Sequence, residues 1–152
     1  MITICQGDAR DIASIMPVMN SAFPAEFGEA WTANQCIGAL AMSGCHLHIA
    51  KIESAVVGFS ISRRTLDEEE LLLIAVDSNS QNLSVGSQLL KSAVQDSFDN
   101  GVTKFFLEVR ENNDAFRFYE KHGFEIVGIR PNYYRGADGV QFAARTMAKF
   151  SR

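Results

Sequence analysis

Two side chains in the second half of the chain have residue types and surroundings that could support proton transfer. Glu108 interrupts an otherwise apolar segment, KFFLEVR, which predicts a β-strand. A carboxylate there lies at the wet end of the strand, pairs with a cation, or faces a cleft with a functional role. Tyr119 lies on the apolar face of the next predicted helix. It is either a buried tyrosine whose hydroxyl finds one partner or a functional residue.

A third feature, the stretch from Leu71 to Phe98, predicts a strand, a polar loop and a helix in succession. Apolar residues fill positions 71–76, polar or small residues dominate 77–84, and helical spacing follows at 85, 86, 89, 90, 93, 94 and 97. The start of such a helix has free N–H groups and a positive dipole end, which attract anions. Ser84, Gly86 and Ser87 are small enough for an anionic ligand to approach the backbone. An ordinary strand-to-helix crossover explains the same pattern.

The composition narrows the class of protein. With 152 residues, 47% of them apolar and 21% charged, the chain predicts one globular domain spanning 1–152. The net charge of −4, without a dense basic tract, argues against nucleic-acid binding. No apolar run approaches the roughly 20 residues that span a bilayer. Three unevenly spaced cysteines and a start without signal-peptide character predict a reducing, cytoplasmic location.

Patterns along the whole chain predict the elements that position these side chains. Strands are expected over Ile2–Gln6, Cys45–Glu53, Ala55–Arg63, Leu71–Val76, Lys104–Arg110, Phe124–Ile129 and Val140–Phe150. Helices are expected after Asp8, after a Thr32–Gln35 capping box, from about residue 85, and over 112–122. Pro17 predicts a kink or an early end of the first helix. The order β-α-α-β-β-β-α-β-α-β-β predicts one mixed α/β sheet with helices on its faces.

Several segments allow two interpretations. The aromatic, acidic loop 23–31 either packs under its neighbours or lines a ligand groove. His46 and His48 share a strand face, but no third ligand is nearby, so no metal site is predicted. The acidic run 67–70 is a solvated face or attracts a cationic substrate towards a site. The segment RPNYYRGADG is expected to join the last two strands through a turn at its end.

Taken together, these segments resemble the GNAT acetyltransferase superfamily across essentially the whole chain. QNLSVGS, residues 81–87, is similar to the family's Q/R-x-x-G-x-G/A acetyl-CoA loop, with Ser84 where the first glycine is usual. LEVR and NNDAFRFYEKHGF resemble its second cofactor region, and RPNYYRGADG resembles the ribosomal-protein-alanine N-acetyltransferase branch. The resemblance implies a single GNAT-like α/β (α+β) domain with a mixed, mostly antiparallel sheet of about seven strands and four helices.

The resemblance also implies an enzyme that transfers an acetyl group from acetyl-CoA directly to a free amine, with Glu108 as general base and Tyr119 as general acid. No metal and no acyl-enzyme are expected. The residues implied to hold acetyl-CoA are Ile74, Ala75, Val76, Gln81, Asn82, Leu83, Ser84, Val85, Gly86 and Ser87. The contacting asparagine is Asn112 if counted back from Gly123, or Asn113 if counted forward from Glu108. Helix register favours Asn112.

The acceptor implied by the branch is the N-terminal α-amino group of a protein, such as a ribosomal protein. An α-amino group, with a pKa near 8, loses its proton more readily than lysine, near 10.4. Glu26, Glu29 and Tyr134 are the candidate acceptor contacts, in the 23–31 loop and the 130–139 hairpin. A small-molecule amine or a lysine side chain is the alternative acceptor. A non-catalytic acyl-CoA-binding module is the other alternative, and the oligomeric state stays open.

Overall fold

The computed structural model describes residues 1–23, 30–81, 83–111, 113–135 and 139–151, with positions 134 and 135 described by their backbone alone. Within these ranges, seven strands and four helices follow one another in the predicted order. They are β1 (Ile2–Gly7), α1 (Ile12–Ala22), α2 (Ala33–Leu40), β2 (Cys45–Ile52), β3 (Ala55–Thr65), β4 (Glu68–Val76), α3 (Val85–Asp99), β5 (Lys104–Arg110), α4 (Ala115–Lys121), β6 (Glu125–Arg135) and β7 (Gln141–Phe150).

The strands form one mixed sheet in the order β1-β2-β3-β4-β5-β7-β6. Every neighbouring pair is antiparallel except β4 and β5, which are parallel and joined through α3. The predicted mixed, mostly antiparallel sheet is therefore confirmed. β5 and β6, joined through α4, run in the same direction but do not pair, because β7 lies between them.

β4 and β5 pair over only part of their length. Their ladder joins 68–70 to 104–106, and the described residues beyond it form no further rungs although both strands continue. Leu72 is an extra residue opposite β3, since Ile61 pairs with Leu73 and Ser62 with Leu71. Such a bulge bends a strand and increases its local twist. The two strands diverge from this point, and a cleft opens between them.

The helices cover both faces of the sheet. Along β2, Leu47 and Ile49 belong to a buried cluster with α1 and α2, whereas Ala50 belongs to one with α3. Because side chains alternate between the faces of a strand, α1 and α2 lie on one face and α3 on the other. A further cluster on the α3 side joins α3, β5 and α4 and includes Leu90, Phe105, Leu107, Tyr119 and Phe124.

Local signals place the helix starts. Thr32 Oγ1 accepts a hydrogen bond from Gln35 N (3.1 Å) and Gln35 Oε1 accepts one from Thr32 N (2.7 Å), which confirms the capping box. A 3₁₀ turn, Ala9–Asp11, precedes α1. Pro17 does not end α1, which continues to Ala22. No helix among the described residues has the length and apolar character needed to cross a membrane.

Two stretches expected outside strands are strands. β4 begins at Glu68, and Glu69 is 1% exposed, so the solvated-face interpretation is wrong there. Glu69 accepts hydrogen bonds from Ser62 Oγ and from Arg64 Nε (2.7 Å). β6 continues to Arg135, so most of the RPNYYR segment is strand rather than loop. A register shift follows Arg130, and an edge strand tolerates proline at such a bulge.

Candidate active site

The cleft between the diverging strands has a volume of about 1090 Å³. Leu71 to Val76 of β4 form one wall and Leu107 to Arg110 of β5 the other. The remaining lining includes the start of α3, part of α4, and Ala22, Phe23 and Trp31 beside α1 and α2. The cleft is thus bordered from both faces of the sheet, and its size suits a large organic ligand.

The β4 wall offers backbone groups to a ligand. Ile74, Ala75 and Val76 line the cleft, and β4 pairs with β3 along its other edge. Alternate N–H and C=O groups of a strand point to each edge, so those on the cleft side after Glu70 have no strand partner among the described residues. A ligand that contains amide groups could hydrogen-bond to this edge as an added strand does.

The start of α3 forms one end of the cleft. Ser84 is its N-cap residue, has a φ of 62°, and makes no side-chain capping hydrogen bond. The Ser84 side chain therefore does not occupy the N–H groups of the first turn, which is the part of a helix that attracts anions. Gln81, Ser84, Val85, Gly86 and Ser87 line the cleft. Leu83, 52% exposed, is not among the lining residues.

Gly86 faces α4 across the cleft. A β-carbon at Gly86 would lie 3.5 Å from Phe118 Cζ and 3.7 Å from Val76 Cγ2.

Hydrogen bonds from Ser21 anchor the end of α1 next to the cleft. Ser21 Oγ donates a hydrogen bond to Asp77 Oδ1 (2.8 Å) and accepts one from Ser78 N (2.9 Å). These two hydrogen bonds hold the end of α1 beside the turn that follows β4.

Tyr119 contributes a hydroxyl from the α3 and α4 side. Its ring is 7% exposed and packs edge-on against Phe118 (5.2 Å between centroids) and Phe124 (5.9 Å). Tyr119 also lines the cleft. Burial raises the pKa of Tyr119 to about 12, so the hydroxyl keeps its proton at neutral pH and can donate it.

Glu108 reaches the cleft from the opposite face. Its neighbours Leu107 and Val109 pack with Tyr119, so the side chain between them points to the α1 and α2 side. Glu108 is 13% exposed and lines the cleft, and its Oε1 lies 3.4 Å from Arg130 Nη2. Two of the sequence interpretations therefore hold together: the carboxylate faces a cleft and is paired with a cation.

Some predicted site residues fall outside the described part of the chain. These are Glu26, Glu29, Asn82, Asn112 and the side chain of Tyr134. Asn113 lines the cleft, and its Oδ1 accepts a hydrogen bond from Ala115 N (2.9 Å) at the start of α4. His48 Nε2 lies 3.7 Å from Asp96 Oδ2. Within the described ranges no three His, Cys, Asp or Glu side chains are grouped to hold a metal.

The family's sequence profile decides the assignment. The profile of the Acetyltransferase (GNAT) family matches residues 12–124, which span α1 to the end of α4 and include the whole cleft. The chain belongs to the GNAT acetyltransferase family. It is an N-acetyltransferase, and like other GNAT enzymes it takes its acetyl group from acetyl-CoA.

Relatives of this GNAT enzyme share a narrower activity by name. The ribosomal protein bS18-alanine N-acetyltransferase of Haemophilus influenzae is 38% identical over 104 residues, covering 68% of this chain and 71% of that protein. The enzyme of the same name from Escherichia coli K12 is 39% identical over 58% of this chain and 60% of its own length.

Solved structures extend the likeness to the full fold. The crystal structure of the E. coli ribosomal-protein-S18-alanine N-acetyltransferase superposes with a TM-score of 0.87 and 29% identity, covering 97% of this chain and 92% of that one. Ard1 from Thermoplasma volcanium superposes with a TM-score of 0.83 and 28% identity, over 99% and 98% of the chains.

Sequence reasoning missed Arg130 and Phe118 at the site of this GNAT enzyme. Phe118 precedes Tyr119 and lines the cleft. In the local sequence only the helical register indicates this position. Arg130 meets Glu108 only because β7 lies between β5 and β6, and that arrangement is invisible in local patterns.

Proposed function

We propose that this GNAT enzyme, as one domain over residues 1–152, acetylates the N-terminal α-amino group of a protein, a ribosomal protein in the cytoplasm being the best-supported class. Glu108 is the general base and Tyr119 the general acid. The observation that carries these roles is their placement: both line one cleft, from opposite faces of the sheet. The names of the relatives support the acceptor class.

The placement suits direct transfer. The acceptor ammonium gives a proton to Glu108, directly or through a water, and the neutral nitrogen attacks the thioester carbonyl carbon. Unpaired N–H groups on the edge of β4 stabilise the oxyanion that forms. The carbon–sulfur bond then breaks, and the thiolate receives the Tyr119 proton. The nitrogen of the new amide releases its remaining extra proton, which returns Tyr119 to its neutral form. Proton transfer from the Tyr119 hydroxyl, with a pKa of about 12, to a free thiolate is unfavourable, because a thiol has a pKa of about 8.5. The hydroxyl therefore acts first as a hydrogen-bond donor to the departing sulfur.

Under this proposal each end of acetyl-CoA has its own part of the cleft. The pantetheine arm runs along Ile74, Ala75 and Val76, and the pyrophosphate lies on the first turn of α3. Asn82 and Asn112 remain proposed contacts for this group. Glu26, Glu29 and Tyr134 remain proposed contacts for the acceptor, between the 23–31 segment and the end of the β6–β7 hairpin.

A peptide panel tests the acceptor class. Lysine-containing peptides with free or blocked N-termini, together with small amines, are incubated with the enzyme and acetyl-CoA, and the acetyl group is located by mass spectrometry. We expect label on the free α-amino group alone. Exclusive labelling of lysine or of the small amines would overturn the proposed acceptor.

Matched variants test the residue roles in the same assay. Glu108→Gln and Tyr119→Phe should each lower kcat by about 10²-fold or more. Glu120→Gln, an exposed carboxylate on α4, is the control and should leave the rate unchanged. Full turnover in the first two variants would remove the catalytic assignment while leaving the acceptor assignment standing.

A further inference from the structure

The ion pair between Glu108 and Arg130 connects the proposed base to the hairpin that is proposed to hold the acceptor. We propose that Arg130 is a positioning residue: it holds the Glu108 carboxylate at the α1 and α2 side of the cleft until the ammonium group of the acceptor takes its place. This assignment rests on the proposed function, because it takes Glu108 as the base.

The register of three strands puts the two side chains together. Thr146 of β7 pairs with Glu108 of β5, and Ala144, two residues earlier, pairs with Arg130 of β6. Paired residues share a face, as do residues two apart, so Arg130 and Glu108 project from the same side of the sheet. Arg130 reaches across β7, where the small Ala144 and Thr146 leave room, to place Nη2 3.4 Å from Glu108 Oε1.

The exposed position of Arg130 makes it easy for another cation to displace it from Glu108. Glu108 is 13% exposed, whereas Arg130 is 59% exposed. Water screens an exposed guanidinium, so its hold on the carboxylate is weak. In the same position the Arg130 guanidinium also lies 5.1 Å from the centre of the Tyr133 ring.

Other charged side chains lie around the ion pair. Glu70 of β4 interacts electrostatically with both Glu108 and Arg130, and its Oε1 lies 3.7 Å from Arg63 Nη2 of β3. Lys104 and Arg110, at the ends of β5, share its face with Glu108. Arg130 lies 3.4 Å from Glu108 Oε1 and is the group that the acceptor ammonium displaces under this proposal.

The kcat and KM for a peptide acceptor test the assignment. Without Arg130 the Glu108 carboxylate loses the group that holds it in place, so kcat should fall by about 10-fold in Arg130→Gln. The KM for the peptide should fall, because a competing cation is gone. Arg130→Lys should restore most of the wild-type kcat and KM. Arg10→Gln, which breaks the exposed pair with Asp8 (2.7 Å), is the control and should change neither quantity.

Two further outcomes separate this assignment from the proposed function. Unchanged kcat and KM in Arg130→Gln, with an active wild type and an inactive Glu108→Gln, overturn the role of Arg130 alone. Full activity in Glu108→Gln overturns both. In Glu108→Gln/Arg130→Gln the residual kcat should equal that of Glu108→Gln, because Arg130 acts only through that carboxylate. A merely structural role would lower stability without lowering the KM.

Discussion

Gly58 of β3 lies so close to Val85, the first residue of α3, that a β-carbon on Gly58 would be 2.9 Å from Val85 Cγ1. The same β-carbon would be 3.0 Å from Leu89 Cδ1 and 3.0 Å from the carbonyl oxygen of Ala75. Any side chain at position 58 must therefore push α3 away from the sheet or displace β4. The absence of a side chain at Gly58 therefore allows the first turn of α3, which borders the cleft, to pack close to β3 and β4.

Gly58→Ala should accordingly destabilise the protein by about 1–3 kcal/mol, as overpacking does in well-filled cores. It should also weaken acetyl-CoA binding, because the start of α3 shifts. Urea unfolding and a titration with acetyl-CoA measure the two effects. Gly38→Ala in α2 is the control: a β-carbon there meets nothing within 4 Å, and alanine favours a helix. Equal stability of Gly58→Ala and wild type would contradict the close-contact argument.

Ser84→Gly should stabilise the protein by about 0.5–1 kcal/mol. The φ of 62° penalises a residue with a β-carbon, and this gain exceeds the extra entropy that glycine loses on folding. Ser84→Ala separates the backbone effect from the hydroxyl, since it keeps the strain and removes only the side-chain oxygen. Thermal unfolding with and without acetyl-CoA provides the measurement. A Ser84→Gly protein less stable than Ser84→Ala would show that φ is not the controlling factor.

Tyr119 should make the wild-type protein sensitive to alkali. Burial raises its folded pKa from the ordinary value of about 10 to about 12, so its contribution is complete below pH 10 and is lost as the pH rises through 12. Between pH 9 and pH 11 the loss should be about 1 kcal/mol. Urea unfolding at both values, compared with Tyr119→Phe, isolates this residue from the other titrating groups. An identical pH dependence in the variant would refute the linkage.

His48 should make the protein sensitive to mild acid. Burial lowers the pKa of His48, and this outweighs the opposite effects of Asp96 and Glu69. Its contribution is complete above the unfolded value near 6.5 and is lost as the pH falls through the lower folded value. Wild type should therefore lose more stability between pH 7.5 and pH 5.5 than His48→Leu. His46→Leu, on the same face of β2 but less buried, is the matched control.

Glu68 and Glu69 are adjacent in the sequence, but Glu68 is exposed and Glu69 is buried. Substitutions at the two positions therefore serve as controls for each other. Glu69→Ala leaves Arg64 without its 2.7 Å partner and should cost about 3–5 kcal/mol. Glu68→Ala removes an exposed side chain and should change the free energy of unfolding by no more than about 0.5 kcal/mol. Equal costs, measured by urea unfolding, would mean that the buried ion pair does not stabilise the fold.

Local patterns predict much of this structure because local physics decides it. The Thr32–Gln35 capping box, the strand–loop–helix pattern from Leu71, and the alternation within β5 each depend on residues within one or two turns. These patterns also placed Glu108, Tyr119 and the start of α3, all of which line the cleft.

The features that local patterns miss depend on distant partners. Glu69 is buried because Ser62 and Arg64 on β3 satisfy its oxygens, and its own segment shows only an acidic run. β6 continues past Pro131 because it lies at the sheet edge, and Arg130 meets Glu108 because β7 intervenes. Register between strands far apart in sequence produces each of these outcomes.

The insertion of β7 between β5 and β6 has a consequence for the enzyme's own synthesis. A nascent chain translated only as far as Arg135 already carries every residue proposed to handle the acyl group. It still lacks the strand that pairs with β5 on one side and β6 on the other. Glu108 and Arg130 are therefore brought together by the sheet only after β7 has left the ribosome.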